Sequence, residues 1–450
     1  MAMQDVNRRN FLQATSASVA GLTLLGTVPT VSADEHEPPS ADEVTVSDES
    51  VEYIEANPDA GFHYPYFLYT PPSLNSDEEH PRPIFVGPNN TPSSEDGFGP
   101  HLEQGQRLAE EGRPRAIAER LSVPLLVPVF PRFREEPEPW YVYVQVIDPD
   151  TFTIEDSPLE RVDTQLLEMV DDATSRLETA GHTIASEIHI DGFSASGTFS
   201  NRFTILHPER VNAASHGGTT AKTLPKTEID DDIPVVGDPQ WNEMSYPVGT
   251  DEEELPYPIG VANLEELTGS SFNRDAWLNT PQYIYIGDED RPEPGSRGHR
   301  SFSNLYDEEA LQVHPDDRSY GMPDLIDDIY GVQNIDERFD VSRAVYENVG
   351  AAATFTIYEG YGHTPRPAID DLVEFHQQEI EATYGSPSTN EGTSDEAGDE
   401  SANTDTDTDT DSGSDTESTD DGTPGFGIGA TLSGLVGASY VLKRRLESES

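Results

Sequence analysis

Three residue types scattered along the chain could together perform nucleophilic chemistry. Ser194 stands in Asp191-Gly192-Phe193-Ser194-Ala195-Ser196-Gly197, after the apolar run Glu187-Ile188-His189-Ile190 and before a segment whose Phe199, Phe203 and Leu206 share one helical face. A strand turning sharply into a helix presents a serine hydroxyl only where the residues two places before and after it are small, as Gly192 and Ser196 are. Ser196 is the competing nucleophile, but Ser194 and Thr198 flank it and fit the crowded turn less well. The N–H of Ala195 would open the following helix, where backbone donors and the helix dipole favour a developing negative charge.

A serine of this kind needs a base, and imidazole is the usual proton acceptor near pH 7. His363 lies in Glu359-Gly360-Tyr361-Gly362-His363-Thr364-Pro365, between the strand-like Thr354 to Tyr358 and a last helix from about Pro367. Glycines 360 and 362 let that loop bend His363 back over the sheet edge. His189, His207, His216 and His376 compete, but none has the strand-loop-helix setting as clearly. The base in turn needs an orienting carboxylate. Tyr283-Ile284-Tyr285-Ile286-Gly287-Asp288-Glu289-Asp290 places carboxylates directly after an apolar strand, with Asp290 favoured and Asp288 the alternative. A second oxyanion donor is expected in Phe85-Val86-Gly87-Pro88-Asn89-Asn90-Thr91; proline has no N–H, so the backbone of Asn89 or Asn90 is chosen.

These loops need a rigid frame. Short apolar runs at Phe62 to Tyr69, Pro83 to Val86, Val123 to Val129, Glu187 to Ile190, Val211 to Ser215, Gln282 to Ile286 and Ala353 to Tyr358 read as strands. Helical segments separate them: Leu102 to Leu121, interrupted at Gly112 and Pro114, and a long helix opened by Pro158. In the latter Leu159, Val162, Leu166, Met169, Val170, Ala173 and Leu177 recur at helical spacing, and Gly181 closes it. Alternating strands and helices predict an α/β fold, a mostly parallel sheet of about eight strands covered on both faces.

Charge dominates the composition. Asp and Glu number 86 against 26 Lys and Arg, and the net charge of −60 repels nucleic acid and anionic membranes. Lysine occurs at Lys222, Lys226 and Lys443 alone, a balance that resembles proteins of salt-accumulating halophilic archaea. Cysteine is absent, which excludes disulfides, thiolate catalysis and cysteine-bound zinc.

Both ends read as addresses. Asn7-Arg8-Arg9-Asn10-Phe11-Leu12, the apolar run Val19 to Val28 and the small residues Val31-Ser32-Ala33 resemble a twin-arginine signal peptide over 1–33, which implies the Tat translocase as a partner. Residues 34–47 are expected to be an acidic disordered segment, and 48–384 the catalytic domain. The Ser, Thr and Asp tract at 385–423 is expected to be a disordered stalk, since it has too little apolar surface to order itself. Its aspartates lack the glycine and glutamate of a calcium loop. Pro424-Gly425-Phe426, a Gly-rich apolar segment and Lys443-Arg444-Arg445 make 424–450 resemble the PGF-CTERM sorting signal of archaea. That resemblance implies processing by an archaeosortase and a lipid anchor, the alternative being a membrane anchor formed by the tail itself. Either way the protein faces outward.

From about Phe62 to Ile380 the chain resembles the α/β-hydrolase superfamily. Gly192 to Gly197, Asn201-Arg202-Phe203 and His207-Pro208-Glu209-Arg210-Val211 are similar to its polyhydroxybutyrate depolymerase, feruloyl esterase and peptidase-like branch. The resemblance implies the α/β-hydrolase fold, the serine, acid, histidine order that Ser194, Asp290 and His363 follow, and a small or polymeric ester as substrate. It requires no cofactor and no metal. A serine peptidase of the same fold and an inactive surface binding protein are the alternatives. Two insertions, 219–280 and 291–330, depart from the pattern; loops of such length commonly form lids or substrate walls. Their Trp241, Trp277, Tyr246, Tyr257, Tyr306 and Tyr320 would suit an apolar or aryl substrate, unless they merely pack the insertions.

Overall fold

The structure is a computed structural model that describes residues 37–74, 80–90, 97–131, 144–147, 149–219, 222–228, 254–290 and 335–385. The chain divides into Met1–Glu35, outside those residues, and His36–Ser450, which contains every element below. The expected signal peptide, the insertion 291–330, the expected stalk from 386 on, the sorting tail and the aromatics Trp241, Tyr246, Tyr306 and Tyr320 also lie outside the described residues.

Eight strands form one sheet: β1 (Val51–Ile54), β2 (Tyr66–Tyr69), β3 (Phe85–Val86), β4 (Leu125–Pro128), β5 (Ile188–Phe193), β6 (Val211–Gly217), β7 (Gln282–Gly287) and β8 (Ala353–Tyr358). Their order across the sheet is β1-β2-β4-β3-β5-β6-β7-β8. β2 runs antiparallel to β1 and β4, and every later pairing is parallel. Parallel strands require crossover helices, which bury the sheet on both faces and explain why Leu125–Pro128 and Gln282–Gly287 are buried along their whole length.

The helices are α1 (Gly99–Glu110), α2 (Arg113–Leu121), α3 (Val162–Thr179), α4 (Ala195–Leu206), the short α5 (Leu264–Thr268) and α6 (Arg274–Asn279), α7 (Ile335–Val349) and α8 (Ile369–Tyr384). The break expected at Gly112 and Pro114 separates α1 from α2, with Pro114 in the first turn of α2 where its missing N–H costs nothing. α3 begins at Val162 and not at Pro158, because Arg161 takes a left-handed conformation at φ 49°. Side-chain alternation along β6 shows the two covered faces: Ser215 bonds His376 on α8, and its neighbour His216 bonds Ser200 on α4.

Two expectations change. Residues 37–47 are tied to the domain rather than disordered, although most of their side chains are exposed: Val44 and Val46 pack on the main core, the Tyr53 hydroxyl donates to the Pro39 carbonyl and the Ser47 N–H to Glu110. The described part of the insertion 219–280 builds a second apolar core. Leu224, Leu255, Tyr257, Ile259, Val261 and Trp277 join Ile284 and Ile286 of β7 and Val345 and Tyr346 of α7. Trp277 is 0% exposed and packs edge-on against Tyr346, while Tyr257 donates its hydroxyl to the Ile147 carbonyl. Neither aromatic lines a substrate wall. They cover the β7 side of the sheet, whose apolar face needs a cover as much as the centre does.

Candidate active site

The turn between β5 and α4 is a single residue. Ser194 adopts φ 62° and ψ −128°, a sparsely populated region for any residue with a Cβ. Its carbonyl receives the Thr198 N–H at 3.0 Å to start α4, and its own N–H donates to the Gly217 carbonyl at 2.8 Å. The chain doubles back so closely that a Cβ at position 192 would overlap the Ser196 carbonyl, which explains Gly192. A strained serine between a central parallel strand and a helix, in a sheet of this strand order, decides the architecture. The fold is that of an α/β-hydrolase.

The other two candidate residues, Asp290 and His363, follow the ends of β7 and β8. Nδ1 of His363 lies 3.0 Å from both carboxylate oxygens of Asp290, which is 2% exposed. The His363 ring is 33% exposed and sits 4.7 Å, centroid to centroid, from the ring of Phe193, the residue before Ser194. A Cβ on Gly218, just past β6, would meet His363 Cε1 at 3.1 Å, so the histidine lies over the end of β6. Asp288, the alternative acid, does something else: its Oδ1 accepts the Gly360 N–H at 2.6 Å. The Glu289 N–H donates to the Tyr361 carbonyl at 2.9 Å, and that carbonyl passes so near Gly287 that no Cβ fits there. The loops carrying Asp290 and His363 are therefore stitched together by backbone.

The loop after β3 is also anchored. Asn89, fully buried, accepts the Phe130 N–H at 3.0 Å and donates to the Phe130 carbonyl at 2.9 Å, which fastens the loop to the end of β4. Asn90 does not fit the expected part of backbone oxyanion donor, because its N–H donates to Oε1 of Gln104 on α1 at 2.9 Å. Its side-chain amide instead donates to the Phe193 carbonyl at 2.8 Å. Ser196 is likewise engaged: its hydroxyl donates to the Phe193 carbonyl at 2.9 Å and accepts the Phe193 N–H at 3.0 Å. Ala195 is the first residue of α4 and is 2% exposed.

The competing histidines all have structural partners. His207 bonds Asp163, His216 bonds Ser200, and His189 and His376 bond each other at 3.0 Å. Burial draws His189 down to about 4, against a partial opposing effect of its bond to Asn212, so it stays neutral at pH 7. Burial would raise the Asp163 carboxyl, but hydrogen bonds from His207 and Arg161 outweigh it and hold the group at about 2.

Sequence reading missed Arg113. From the start of α2 it grips Asp191 with two nitrogens, at 3.0 and 2.8 Å, and donates to the Tyr285 hydroxyl at 3.1 Å. The available signal was Asp191 itself, a carboxylate in a buried strand, which demands a cation nearby.

Comparison with known proteins gives a motif match at the C-terminus and likenesses to several solved structures. Residues 423–445 match the PGF-CTERM motif. That motif is a C-terminal sorting signal of archaeal cell-surface proteins, so the chain is exported and surface-anchored. No curated protein matches the chain by sequence. Among solved structures it is similar to poly(aspartic acid) hydrolase-1 from a Sphingomonas species, at 16% identity over 71% of this chain and 95% of that one, with a TM-score of 0.41. Similarity to the poly(3-hydroxybutyrate) depolymerase of Bordetella parapertussis is also 16% identity, over 72% and 88% of the two chains, with a TM-score of 0.41. An acetyl xylan esterase from Aspergillus awamori matches at 14% identity over 72% of this chain and 98% of that one, with a TM-score of 0.36.

Proposed function

We propose that the protein is a surface-anchored carboxylic ester hydrolase acting through Ser194, His363 and Asp290. The observation that carries this reading is the conjunction of Ser194 at φ 62° on the β5–α4 turn with the Asp290–His363 pair on the adjoining strand ends. Asp290 fixes the ring through Nδ1, and Nε2 takes the Ser194 proton as Oγ attacks the ester carbonyl carbon. The tetrahedral oxyanion accepts hydrogen bonds from the N–H groups of Ala195 and Asn89, at the positive end of the twelve-residue α4. Collapse breaks the ester C–O bond, and the imidazolium returns its proton to the departing alcohol. Water, deprotonated by the same imidazole, then attacks the acyl-enzyme and releases the carboxylic acid. Export through the twin-arginine route and a lipid anchor installed by an archaeosortase complete the proposal.

The test is turnover of p-nitrophenyl esters of graded acyl length beside amino-acid p-nitroanilides, in molar salt to screen the acidic surface. Ester hydrolysis at least about 100-fold faster than anilide hydrolysis, a gap of about 3 kcal/mol in activation free energy, supports the reading. Preferential anilide cleavage makes the protein a peptidase of the same fold, and no turnover of either class makes it a binding protein.

A further inference from the structure

The strain at Ser194 needs a restraint. A residue with a Cβ held at φ 62° is strained and persists only where its surroundings over-determine it. The angle φ is a rotation about the Ser194 N–Cα bond, so it is set by the orientation of the Phe193–Ser194 peptide plane relative to α4. Both polar ends of that plane are bound. The Ser194 N–H donates to the Gly217 carbonyl at 2.8 Å, and the Phe193 carbonyl accepts from Asn90 Nδ2 at 2.8 Å and from the Ser196 hydroxyl at 2.9 Å. The first bond comes from β6 and the third from within the turn itself. Asn90 reaches in from the loop after β3, whose other attachments include Gly87 N–H to the Leu126 carbonyl, Asn90 N–H to Gln104 and Asn89 to Phe130.

We infer that Asn90 is a positioning residue whose side-chain amide locks the peptide plane preceding Ser194 and ties it to the loop that carries the Asn89 N–H. This inference rests on the reaction proposed above. One hydrogen bond thereby fixes two quantities: the direction of the Ser194 hydroxyl, and the separation between the nucleophile and the second oxyanion donor. Ser196 supports the same plane from the position where the resemblance leads one to expect a second glycine. Its hydroxyl is committed to both polar atoms of Phe193, so it acts as a brace and not as a nucleophile.

The experiment uses the full chain and the variants Asn90→Ala, Asn90→Asp and Ser196→Ala. It measures kcat and KM on an ester that the wild type turns over, the rate of covalent labelling by a fluorophosphonate, and the thermal unfolding midpoint. Asn90→Ala should lower kcat and the labelling rate about 10- to 100-fold with KM within about twofold, since misplacing reacting groups by a fraction of an ångström costs that much. Ser196→Ala should lose less, because Asn90 remains. Asn90→Asp keeps the size of the side chain and the backbone bond to Gln104 but sets a carboxylate against the Phe193 carbonyl. Its kcat should fall at least as far as that of Asn90→Ala at pH 8. The ratio of its kcat to the wild-type value should rise as pH falls, because a protonated carboxyl can donate where the amide did. Wild-type kcat and labelling rate in Asn90→Ala, or a loss matched entirely by the unfolded fraction, would overturn the inference and leave the ester-hydrolase reading intact. A folded wild type that neither labels nor hydrolyses would overturn that reading and the inference with it.

Discussion

Among the described residues, serine, histidine and aspartate are brought near one another in two places. At the sheet end the Asp290–His363 pair follows β7 and β8, and its imidazole packs on Phe193, the residue before Ser194. In the sheet interior the Ser215 hydroxyl donates to Asp191 at 2.7 Å and lies 3.0 Å from Nε2 of His376. The interior cluster has the right residue types and the wrong order. Its carboxylate touches the serine and is neutralised by Arg113, whereas its histidine leans on a second histidine. His376 is driven well below its ordinary pKa, first by burial and then by His189, Arg113 and His216, so it is a poor proton acceptor. Ser215, His376 and Asp191 are all buried, and no backbone strain aims the serine. At the sheet end the carboxylate supports the histidine, the ring is a third exposed, and the serine is forced out of the strand. On the proposed reading, reactivity depends on the order of contacts and on access, and residue identity alone does not confer it.

That contrast predicts opposite phenotypes for matched substitutions. Ser194→Ala should reduce kcat by about 10⁴-fold or more without lowering the unfolding midpoint, and Asp290→Asn by about 10³- to 10⁴-fold through loss of ring orientation. Ser215→Ala should leave kcat per folded molecule within about threefold, since nothing in the proposed reaction touches it. The interior should respond in stability. Asp191→Asn leaves the Arg113 charge without its partner and should cost about 3–5 kcal/mol, read as a lower denaturation midpoint, while the remaining folded enzyme stays active.

Acid should act on the interior as well. Because folding lowers the His189 pKa to about 4, the unfolded chain binds the extra proton once pH falls below about 6.5. Stability should be full above that value and decline by about 3 kcal/mol as pH drops to 4, visible as a falling melting temperature that His189→Asn flattens. The smallest effect belongs to the surface. Asp370→Asn breaks the exposed pair with Arg120, whose side chains are 87% and 46% accessible, and should shift stability by under about 0.5 kcal/mol.

Sequence patterns located the frame because most of the buried strands carry short apolar runs. β1 escaped notice since Glu52 interrupts its four residues, with Val51 and Tyr53 facing inward and Glu52 outward. The turn at Ser194 was legible from its small neighbours and the loop of His363 from its glycines. Asp290 was favoured over Asp288, but the contacts of the two were not legible, since both follow β7 and the turn geometry alone decides which carboxylate meets the ring and which meets Gly360. The place of Trp277 and Tyr257 was equally hidden, because an aromatic in an insertion has the same sequence signature in a lid as in a core. Asn90 was found for its backbone, whereas its side chain makes the contact with Phe193.

The most direct test is fluorophosphonate labelling of folded wild-type protein in molar salt, followed by peptide mapping of the modified residue. A single adduct on Ser194, absent from the His363→Ala variant, with Ser196, Ser200 and Ser215 unmodified, is the predicted result. An adduct on any of those other serines, or none on folded protein, would contradict the assignment of Ser194 as the nucleophile.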